Sequence, residues 1–349
     1  MSKIAIYTII SMNYGNRLQN YALSQVLSDL GYEVETIRRY PVKCKWFNML
    51  KNNIRSFIIK DKFTKFFLFN KHIKWSDCFV NQYDYSRNIE QYYDAFVIGS
   101  DQIWNLTFDF INENSFLPFV KKKRKISYAA SFGVDSFDET LCKQAEALND
   151  ISSISVREEA GAAITEHITG RSAEVLLDPT MLLTRKEWSE IAKKPVSGAP
   201  NKSYIFLYFL GDISEKRNAM IQSIAQKHGL QICSILGEQS TLKNCGPSEF
   251  VYLISHASLV LTDSFHACVF SIMFQKPFAV FDRESSDEKM NSRIITLLRH
   301  FDLENRYLTG QIDAENYAYL ACSFAKSEQL LAQERTRSKS FLIRALEGI

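Results

Sequence analysis

The chain has 349 residues, of which 46% are hydrophobic and 23% charged, and its formal net charge is +3. These values indicate a globular protein long enough for two domains; they exclude a disordered chain and give no sign of nucleic-acid binding. The seven cysteines form no C-x-x-C pair, so we expect neither a disulfide framework nor a zinc site and favour a reducing cytoplasm. No apolar run approaches the roughly 18 residues of a membrane-spanning helix, and no signal-peptide cleavage pattern follows the first run.

The opening 40 residues have the pattern of a β-α-β unit. The run KIAIYTII (3–10) predicts a buried strand, and RLQNYALSQVLSDL (17–30) has leucines at helical spacing, with Gly31 as its stop. YEVETIRR (32–39) predicts the next strand. The polar turn SMNYGN joins the first strand to the helix.

The same alternation continues through the first half of the chain. Strands are predicted at 95–98 and in stretches that end near Ser131, Arg157 and Asp178, with helical or irregular stretches between them. Strands that alternate with helices indicate a mostly parallel sheet with helices on both faces.

A segment with the composition of a linker then interrupts the pattern. Residues 193–203, KKPVSGAPNKS, are rich in Pro, Gly, Ser and Lys, and a second α/β series follows from 204 to 283. We therefore predict two Rossmann-type domains with parallel sheets that face a cleft. The first spans residues 1–190 and the second residues 191–349.

Residues 43–75 differ from the rest of the first domain. Nine Lys or Arg accompany one Asp, with Trp, Phe, Ile and Leu between them. A basic amphipathic segment of this kind can lie on an anionic membrane surface. The alternative is a helical excursion whose apolar side packs on the first domain while its lysines face solvent.

Polar side chains follow many of the predicted strands at the point where each strand ends. In open α/β sheets, ligands bind beyond the carboxyl ends of the strands. One such turn would mean little, because Asp and Ser are ordinary helix caps, but the number of these turns indicates a site. The residues are Asn13, Asn16, Asp101, Gln102, Arg157, Asp178 and the run from Asp263 to His266.

Common nucleotide and metal signatures are missing. The sequence has no G-x-G-x-x-G, P-loop, D-x-D or H-E-x-x-H motif, which favours a metal-free enzyme that handles a small anion. Arg157 precedes a predicted helix, so its guanidinium and the helix N-terminus could bind one anion. The alternative for each arginine is a surface ion pair. Four more candidate anion ligands follow the strand FAVF: Arg283, Lys289, Ser292 and Arg293.

The stretch LTDSFHACVFS (261–271) combines Asp263, Ser264 and His266 in one strand-to-helix turn. Histidine exchanges a proton near neutral pH, so His266 is a candidate acid or base. Asp263 would cap the helix or orient the histidine. The alternative is a hydrogen-bonded core histidine with no chemical role.

Six stretches together resemble the polysaccharide pyruvyl transferases. They are NYGNRLQNYAL (13–23), VIGSDQIWN (97–105), SYAASFG (127–133), SVRE (155–158), LLDPTMLL (176–183) and TDSFHACVFSIMFQKPFAVF (262–281). The resemblance runs from residue 3 to about residue 300.

The resemblance implies a GT-B-like fold and a ketal-forming transferase. Such enzymes move the pyruvyl group of phosphoenolpyruvate onto two hydroxyls of a sugar in a bacterial polysaccharide, such as an exopolysaccharide or capsule, or in its lipid-linked precursor. It implies no cofactor besides phosphoenolpyruvate as co-substrate. The N-terminal domain would hold the glycan acceptor and the C-terminal domain the donor.

The resemblance also implies roles for particular residues. Arg157 and His266 match the family's functional arginine and histidine, and we expect His266 to act as acid or base or to contact the leaving phosphate. Asp101 is our candidate base for a sugar hydroxyl. Many relatives carry an arginine where this chain has Ser264, so we expect Ser292 and Arg293 to supply that anion contact.

Two other functions are compatible with the same fold. One is a GT-B glycosyltransferase that uses a nucleotide sugar, and the other is a glycan-binding protein without catalysis. Binding of phosphoenolpyruvate rather than UDP would separate the first function from both alternatives.

Overall fold

The protein is described from a computed structural model. It describes residues 1–40, 61–237, 240, 242, 244–284, 292–308 and 323–349. These residues form two compact units. The first contains residues 1–40, 67–183 and 333–349, and the second contains residues 61–66 and the described part of 184–332.

The first unit is built on a five-stranded parallel sheet. Its strand order is β3-β2-β1-β4-β5, and a parallel pair, β6-β7, lies beside it through bridges such as that between Ala130 and Val156. β-Branched and aromatic side chains favour these strands because they pack well on a pleated surface. The strands are β1 (Lys3–Tyr7), β2 (Glu33–Arg38), β3 (Trp75–Phe79), β4 (Ala95–Ile98), β5 (Arg124–Ser127), β6 (Ser155–Val156) and β7 (Glu174–Val175).

The second unit has its own five-stranded parallel sheet. Its order is β12-β11-β10-β8-β9, with buried apolar side chains such as Ile205, Leu261 and Ala279 in its core. The strands are β8 (Tyr204–Tyr208), β9 (Gln231–Ser234), β10 (Leu259–Thr262), β11 (Phe278–Phe281) and β12 (Tyr307–Leu308). Two parallel α/β units confirm the predicted fold class.

Most of the α-helices lie between successive strands of a unit, and the last helix follows the final strand. Among the described residues they are α1 (Tyr14–Asp29), α2 (Lys62–Phe69), α3 (Glu139–Gln144), α4 (Glu159–Thr169), α5 (Arg185–Ile191), α6 (Glu215–His228), α7 (Pro247–His256), α8 (Phe265–Met273), α9 (Ser292–His300) and α10 (Ala325–Leu346). Helix α1 begins three residues before the predicted helix because the Asn13 side chain accepts a hydrogen bond from the Gly15 amide and caps it.

The boundaries of the units differ from the predicted domains. The first unit ends at Leu183 rather than at residue 190, and residues 333–349 return to it. Within this unit, Arg335 donates to the carbonyl oxygens of Met181 and Leu183, and Leu342 is fully buried. The C-terminal residues therefore belong with the first sheet because α10 contributes apolar side chains to that unit.

The basic segment 43–75 is described only from residue 61 onward, so the prediction for 43–60 lies outside the described residues. Within α2, Phe66 and Phe69 are buried, and Lys65 forms an ion pair with Glu249. Trp75 begins β3, an edge strand that the sequence prediction did not include. No helix of the described ranges is long and apolar enough to cross a membrane.

The C-terminal helix gives a direct test of this packing. Replacing the fully buried Leu342 with Ala should lower the free energy of unfolding by about 2–5 kcal/mol, because it removes apolar contacts and leaves a cavity. The matched control is Ile343→Ala in the next position of the helix, where the side chain is 54% exposed and the loss should stay within about 0.5 kcal/mol. Urea unfolding measures both, and equal losses would contradict this account of α10.

Candidate functional site

The turn after β4 brings polar groups close to the end of β5. Gly99 has a φ of +118°, and a Cβ atom there would lie 2.4 Å from the carbonyl oxygen of Tyr128. Only glycine fits this close approach of two backbones. Asp101 follows with a φ of +63°, a left-handed conformation that aspartate tolerates better than most residues. The local sequence G-S-D therefore fixes where the Asp101 carboxylate lies.

Asp101 is the centre of a hydrogen-bond network in the first unit. Its Oδ1 accepts from the Gln102 amide at 2.9 Å and from Arg157 Nη2 at 3.2 Å, and its Oδ2 accepts from Asn16 Nδ2. The residue is only 6% exposed. Three donors therefore orient this carboxylate and stabilise its charged form.

Arg157 lies between two carboxylates at the strand ends. Its Nη1 donates to Asp178 Oδ2 at 2.9 Å, and its side chain is 1% exposed. Burial alone would lower the pKa of Arg157, but the charges of Asp101, Asp178 and Glu158 raise it above its ordinary value. The guanidinium is thus a permanent cation. The sequence analysis offered anion binding or an ion pair for Arg157, and the hydrogen bonds described here join it to two carboxylates of its own unit.

Asp178 anchors the other side of this network. Its Oδ2 also accepts from Ser100 Oγ at 3.2 Å, and its Oδ1 accepts from the amide of Thr180 at 3.0 Å. The sequence singled out Asp178 only as a polar residue at a strand end. Its ion pair with Arg157 spans 21 residues and crosses from the end of β7 to the end of β6.

Glu158 is a site residue that the sequence analysis missed. It is fully buried, and its Oε1 accepts from Ser131 Oγ and the Phe132 amide, both at 2.9 Å, and from the Gly133 amide at 3.2 Å. It precedes α4 but makes no side-chain capping bond. The glutamate therefore fixes the loop after β5. The available signal was an acidic residue directly after Arg157.

The predicted acceptor residues of the first unit fall into two groups. Asn16 and Gln102 join the Asp101 network, and the Gln102 side chain also lies against Gly133. Asn13 instead caps α1 through its side-chain oxygen, which accepts from the Gly15 amide at 2.8 Å. The structure thus brings together Asn16, Asp101, Gln102 and Arg157, with Asn13 at the adjoining helix start.

In the second unit, Asp263 joins three segments at the end of β10. Its Oδ1 accepts from the Leu210 amide at 2.7 Å, and its Oδ2 accepts from the Gly211 amide at 2.9 Å and from Arg283 Nε at 3.3 Å. The expectation that Asp263 caps the following helix or orients His266 is therefore wrong. Its short side chain reaches the backbone after β8, where two amides converge on it.

Ser264 and His266 occupy the start of α8. Ser264 is the N-cap residue, but its side chain makes no capping hydrogen bond. His266 lies in the first turn, is 7% exposed, and its ring meets that of Phe265 edge-on at 5.4 Å. The Ser264 hydroxyl is therefore not committed to the helix end and can bind a ligand.

The other predicted anion ligands of the second unit lie on separate elements. Arg283 follows β11 and is held by Asp263. Ser292 and Arg293 begin α9, and Arg293 is 8% exposed. Lys289 lies outside the described residues. Within the described ranges, no three His, Cys, Asp or Glu side chains are grouped so that they could hold a metal ion.

Both units have the layout of Rossmann-type domains, and known structures show the same fold. The UDP-GlcNAc 2-epimerase from Neisseria meningitidis, bound to UDP-GlcNAc, has 11% sequence identity and a TM-score of 0.55, with 99% of each chain covered. The UDP-GlcNAc 2-epimerase from Methanocaldococcus jannaschii has 13% identity and a TM-score of 0.53, again with 99% of each chain covered. The protein therefore has a GT-B-like fold, and at this identity the likeness concerns the fold alone.

Sequence similarity identifies the family within this fold. The profile of the polysaccharide pyruvyl transferases matches residues 13–285, a range that includes the polar strand ends of both units. The chain belongs to the polysaccharide pyruvyl transferase family, which confirms the resemblance and supports a transferase. No curated protein sequence matches the chain.

The ion pairs of Arg157 predict a large effect on stability. Arg157→Met should lower the free energy of unfolding by about 3–5 kcal/mol, because it leaves two carboxylates without their buried cation. Adding Asp178→Asn should recover at least about 1 kcal/mol, because one of the uncompensated charges is then removed. Urea unfolding of the two variants and the wild type measures this cycle. If Arg157→Met alone were as stable as the wild type, the two ion pairs would not contribute to the free energy of unfolding.

Proposed function

We propose that the protein transfers the pyruvyl group of phosphoenolpyruvate to a sugar of a bacterial polysaccharide, or of its lipid-linked precursor, and releases phosphate. The observation that carries this proposal is the family match over residues 13–285, which includes Asp101, Arg157 and His266. The product is a pyruvate ketal across two sugar hydroxyls. The chemistry needs a site for the anionic donor, a proton donor and a base that accepts a proton from a sugar hydroxyl. We assign residues to each of these roles.

The donor is assigned to the second unit because its charge needs cations and amide donors. Phosphoenolpyruvate carries a carboxylate and a phosphate, and arginine binds such groups through paired N–H donors. Candidates are Arg283 beside Asp263 and Arg293 in the first turn of α9. The uncapped Ser264 hydroxyl and the Ser292 hydroxyl add neutral donors. Lys289 remains a proposed ligand outside the described residues.

The reaction adds one proton to the donor and removes one from each of two sugar hydroxyls. Protonation of the donor's methylene carbon gives a methyl group and an oxocarbenium-like carbon, which the first sugar hydroxyl attacks while it loses its proton. The C–O bond to phosphate then breaks, and the second hydroxyl closes the ring. One hydroxyl proton in effect replaces the proton added to carbon, and the other leaves with phosphate. His266 is our candidate for the acid or for contact with the departing phosphate.

Asp101 is our candidate acceptor for a hydroxyl proton in the first unit. Its bonds to Arg157 and Asn16 orient the carboxylate, and attack on an oxocarbenium-like carbon makes the hydroxyl strongly acidic. A well-oriented carboxylate is therefore sufficient to accept the proton. Arg157 acts here as a positioning residue that holds Asp101 and Asp178, and Asn13, Asn16 and Gln102 are proposed to bind acceptor hydroxyls.

The proposal predicts acceptor-dependent release of phosphate. Purified protein should bind phosphoenolpyruvate more tightly than UDP in a calorimetric titration, and it should release phosphate only when a suitable glycan acceptor is present. Mass spectrometry of the acceptor should show the added pyruvyl group. Turnover with a nucleotide sugar, and none with phosphoenolpyruvate across a broad panel of acceptors, would support a glycosyltransferase instead.

Matched histidine variants test the chemistry within the same assay. His266→Ala should lower kcat about 100-fold or more, because it removes acid–base assistance or a phosphate contact. The control is His256→Ala, which removes an exposed histidine of α7 in the same unit and should leave kcat unchanged. Wild-type turnover by His266→Ala would return this residue to a packing role.

Attachment to an anionic membrane face is a further part of the proposal, since acceptors of this class are built on lipid carriers. Three cations, Lys51, Arg55 and Lys60, would each contribute about 1 kcal/mol near an anionic surface. Lys65, in the same basic segment, is not replaced in this experiment because it forms an ion pair with Glu249. Replacing the three cations with Gln should weaken sedimentation with anionic vesicles at low salt.

The control for this vesicle experiment removes the same number of charges elsewhere. Lys121, Lys122 and Lys123 form a basic run in the first unit, and their replacement with Gln should leave vesicle binding nearly unchanged. A wild-type protein that does not sediment with anionic vesicles would refute attachment without affecting the proposed reaction.

A further inference from the structure

Arg17 is a buried cation for which the mechanism above has no use. It lies in the second turn of α1 and is only 6% exposed. Its Nε and Nη1 atoms are buried and have no hydrogen-bond partner, and no carboxylate in the described part of the chain forms an ion pair with it. Its guanidinium carbon lies 5.6 Å from the centroid of the Trp75 ring.

The surroundings of Arg17 desolvate its charge without compensating it. Burial lowers the pKa of Arg17 to about 10. A buried guanidinium normally has a carboxylate or several carbonyl oxygens as partners, because an unpaired buried charge is unfavourable. Arg157 in the same unit follows that rule with its two carboxylates, and Arg171 donates to the carbonyl oxygens of Ile151 and Leu148. Arg17 thus lacks the anion that its environment requires.

A second arginine approaches the same indole. Arg38 ends β2, and its guanidinium carbon lies 5.5 Å from the Trp75 ring centroid. Its Nε donates to the Ser76 carbonyl at 2.8 Å. Burial lowers the pKa of Arg38, with a partly opposing effect of the Asp77 charge, and no carboxylate among the described residues lies within ion-pair distance of it.

Contacts with an aromatic ring are a weak substitute for an ion pair. A cation over an indole contributes less than a paired carboxylate and leaves the N–H donors of the guanidinium unsatisfied. Two guanidinium groups at one indole carry a charge of +2, which would balance the negative charge of a phosphate group, about −2. Arginine also binds phosphate oxygens through two N–H donors at once.

We propose that Arg17, Arg38 and Trp75 form an anion subsite in the first unit that binds a phosphate-type group of the glycan acceptor. The subsite is distinct from the network of Asp101, Arg157 and Asp178, whose cation already has carboxylate partners. That the anion belongs to the acceptor rests on the proposed function, whereas binding of the anion does not. The subsite would favour a sugar linked to a diphosphate over a neutral free glycan.

The experiment uses inorganic pyrophosphate as the probe and the whole protein without phosphoenolpyruvate. Pyrophosphate should raise the Tm of the wild type and change its tryptophan fluorescence, and Trp75→Phe should remove the fluorescence change. Arg17→Met should weaken the apparent Kd about tenfold or more, the scale expected when charged hydrogen bonds are lost. The control Arg87→Gln removes an exposed arginine of the same unit and should leave the Kd unchanged. A parallel titration with glucuronate tests a carboxylate in place of a phosphate, and glucuronate should bind more weakly than pyrophosphate.

The Tm without ligand separates binding from a purely structural role. If the role of Arg17 is to bind an anion, Arg17→Met should be as stable as the wild type or more stable, because an uncompensated buried charge is removed. A lower Tm for Arg17→Met, together with no effect of pyrophosphate on the wild type, would show that Arg17 only packs on Trp75 and would overturn the proposal. Tighter binding of glucuronate than of pyrophosphate would also overturn the phosphate assignment. Because no donor is present, none of these outcomes depends on pyruvyl transfer.

Discussion

The arrangement of the first unit depends on one buried cation, Arg157, and the two carboxylates that share it. The guanidinium joins Asp101 after β4 to Asp178 after β7, and Arg157 itself follows β6. Three strand ends are thereby cross-linked by charged hydrogen bonds in a site from which water is largely excluded. Such a network is unfavourable unless it is complete, so each member constrains the others. The turn that carries Asp101, the Gln102 amide and Asn16 is held in place as a consequence.

In the second unit, a single carboxylate holds the strand-end turn in place. Asp263 at the end of β10 accepts two backbone amides from the segment after β8 and the Nε of Arg283. One carboxylate thus fixes the backbone and a cation together, without a second acid. The Ser264 hydroxyl at the start of α8 makes no capping hydrogen bond, so the helix end does not occupy it. In the second unit, Asp263 holds the strand-end turn and is not proposed to contact a substrate, whereas in the first unit Asp101 belongs to the turn and is also the proposed base.

The arginines of the first unit show that burial by itself does not reveal function. Arg157 and Arg17 are both nearly inaccessible, but the first has carboxylates on both sides, whereas the second lies against an indole with two of its nitrogens unsatisfied. A buried cation with carboxylate partners orients the groups around it. A buried cation without such partners destabilises the folded state, and other interactions of the unit must offset that cost. The difference lies in the partners, which a sequence does not display.

The sequence by itself determined the α/β class, most strands, the polar turns at their ends and the family, because hydrophobic periodicity and turn chemistry are local properties. The strand at Ala95–Ile98 and the helix that stops at Gly31 are examples. Only the tertiary structure decided which charges pair. Several strand ends carry an acid, and nothing in the spacing selects Asp101 and Asp178, 56 and 21 residues away, as the partners of Arg157. The return of residues 333–349 to the first unit and the edge strand β3 were likewise decided by long-range packing, since an apolar stripe does not specify the surface that buries it.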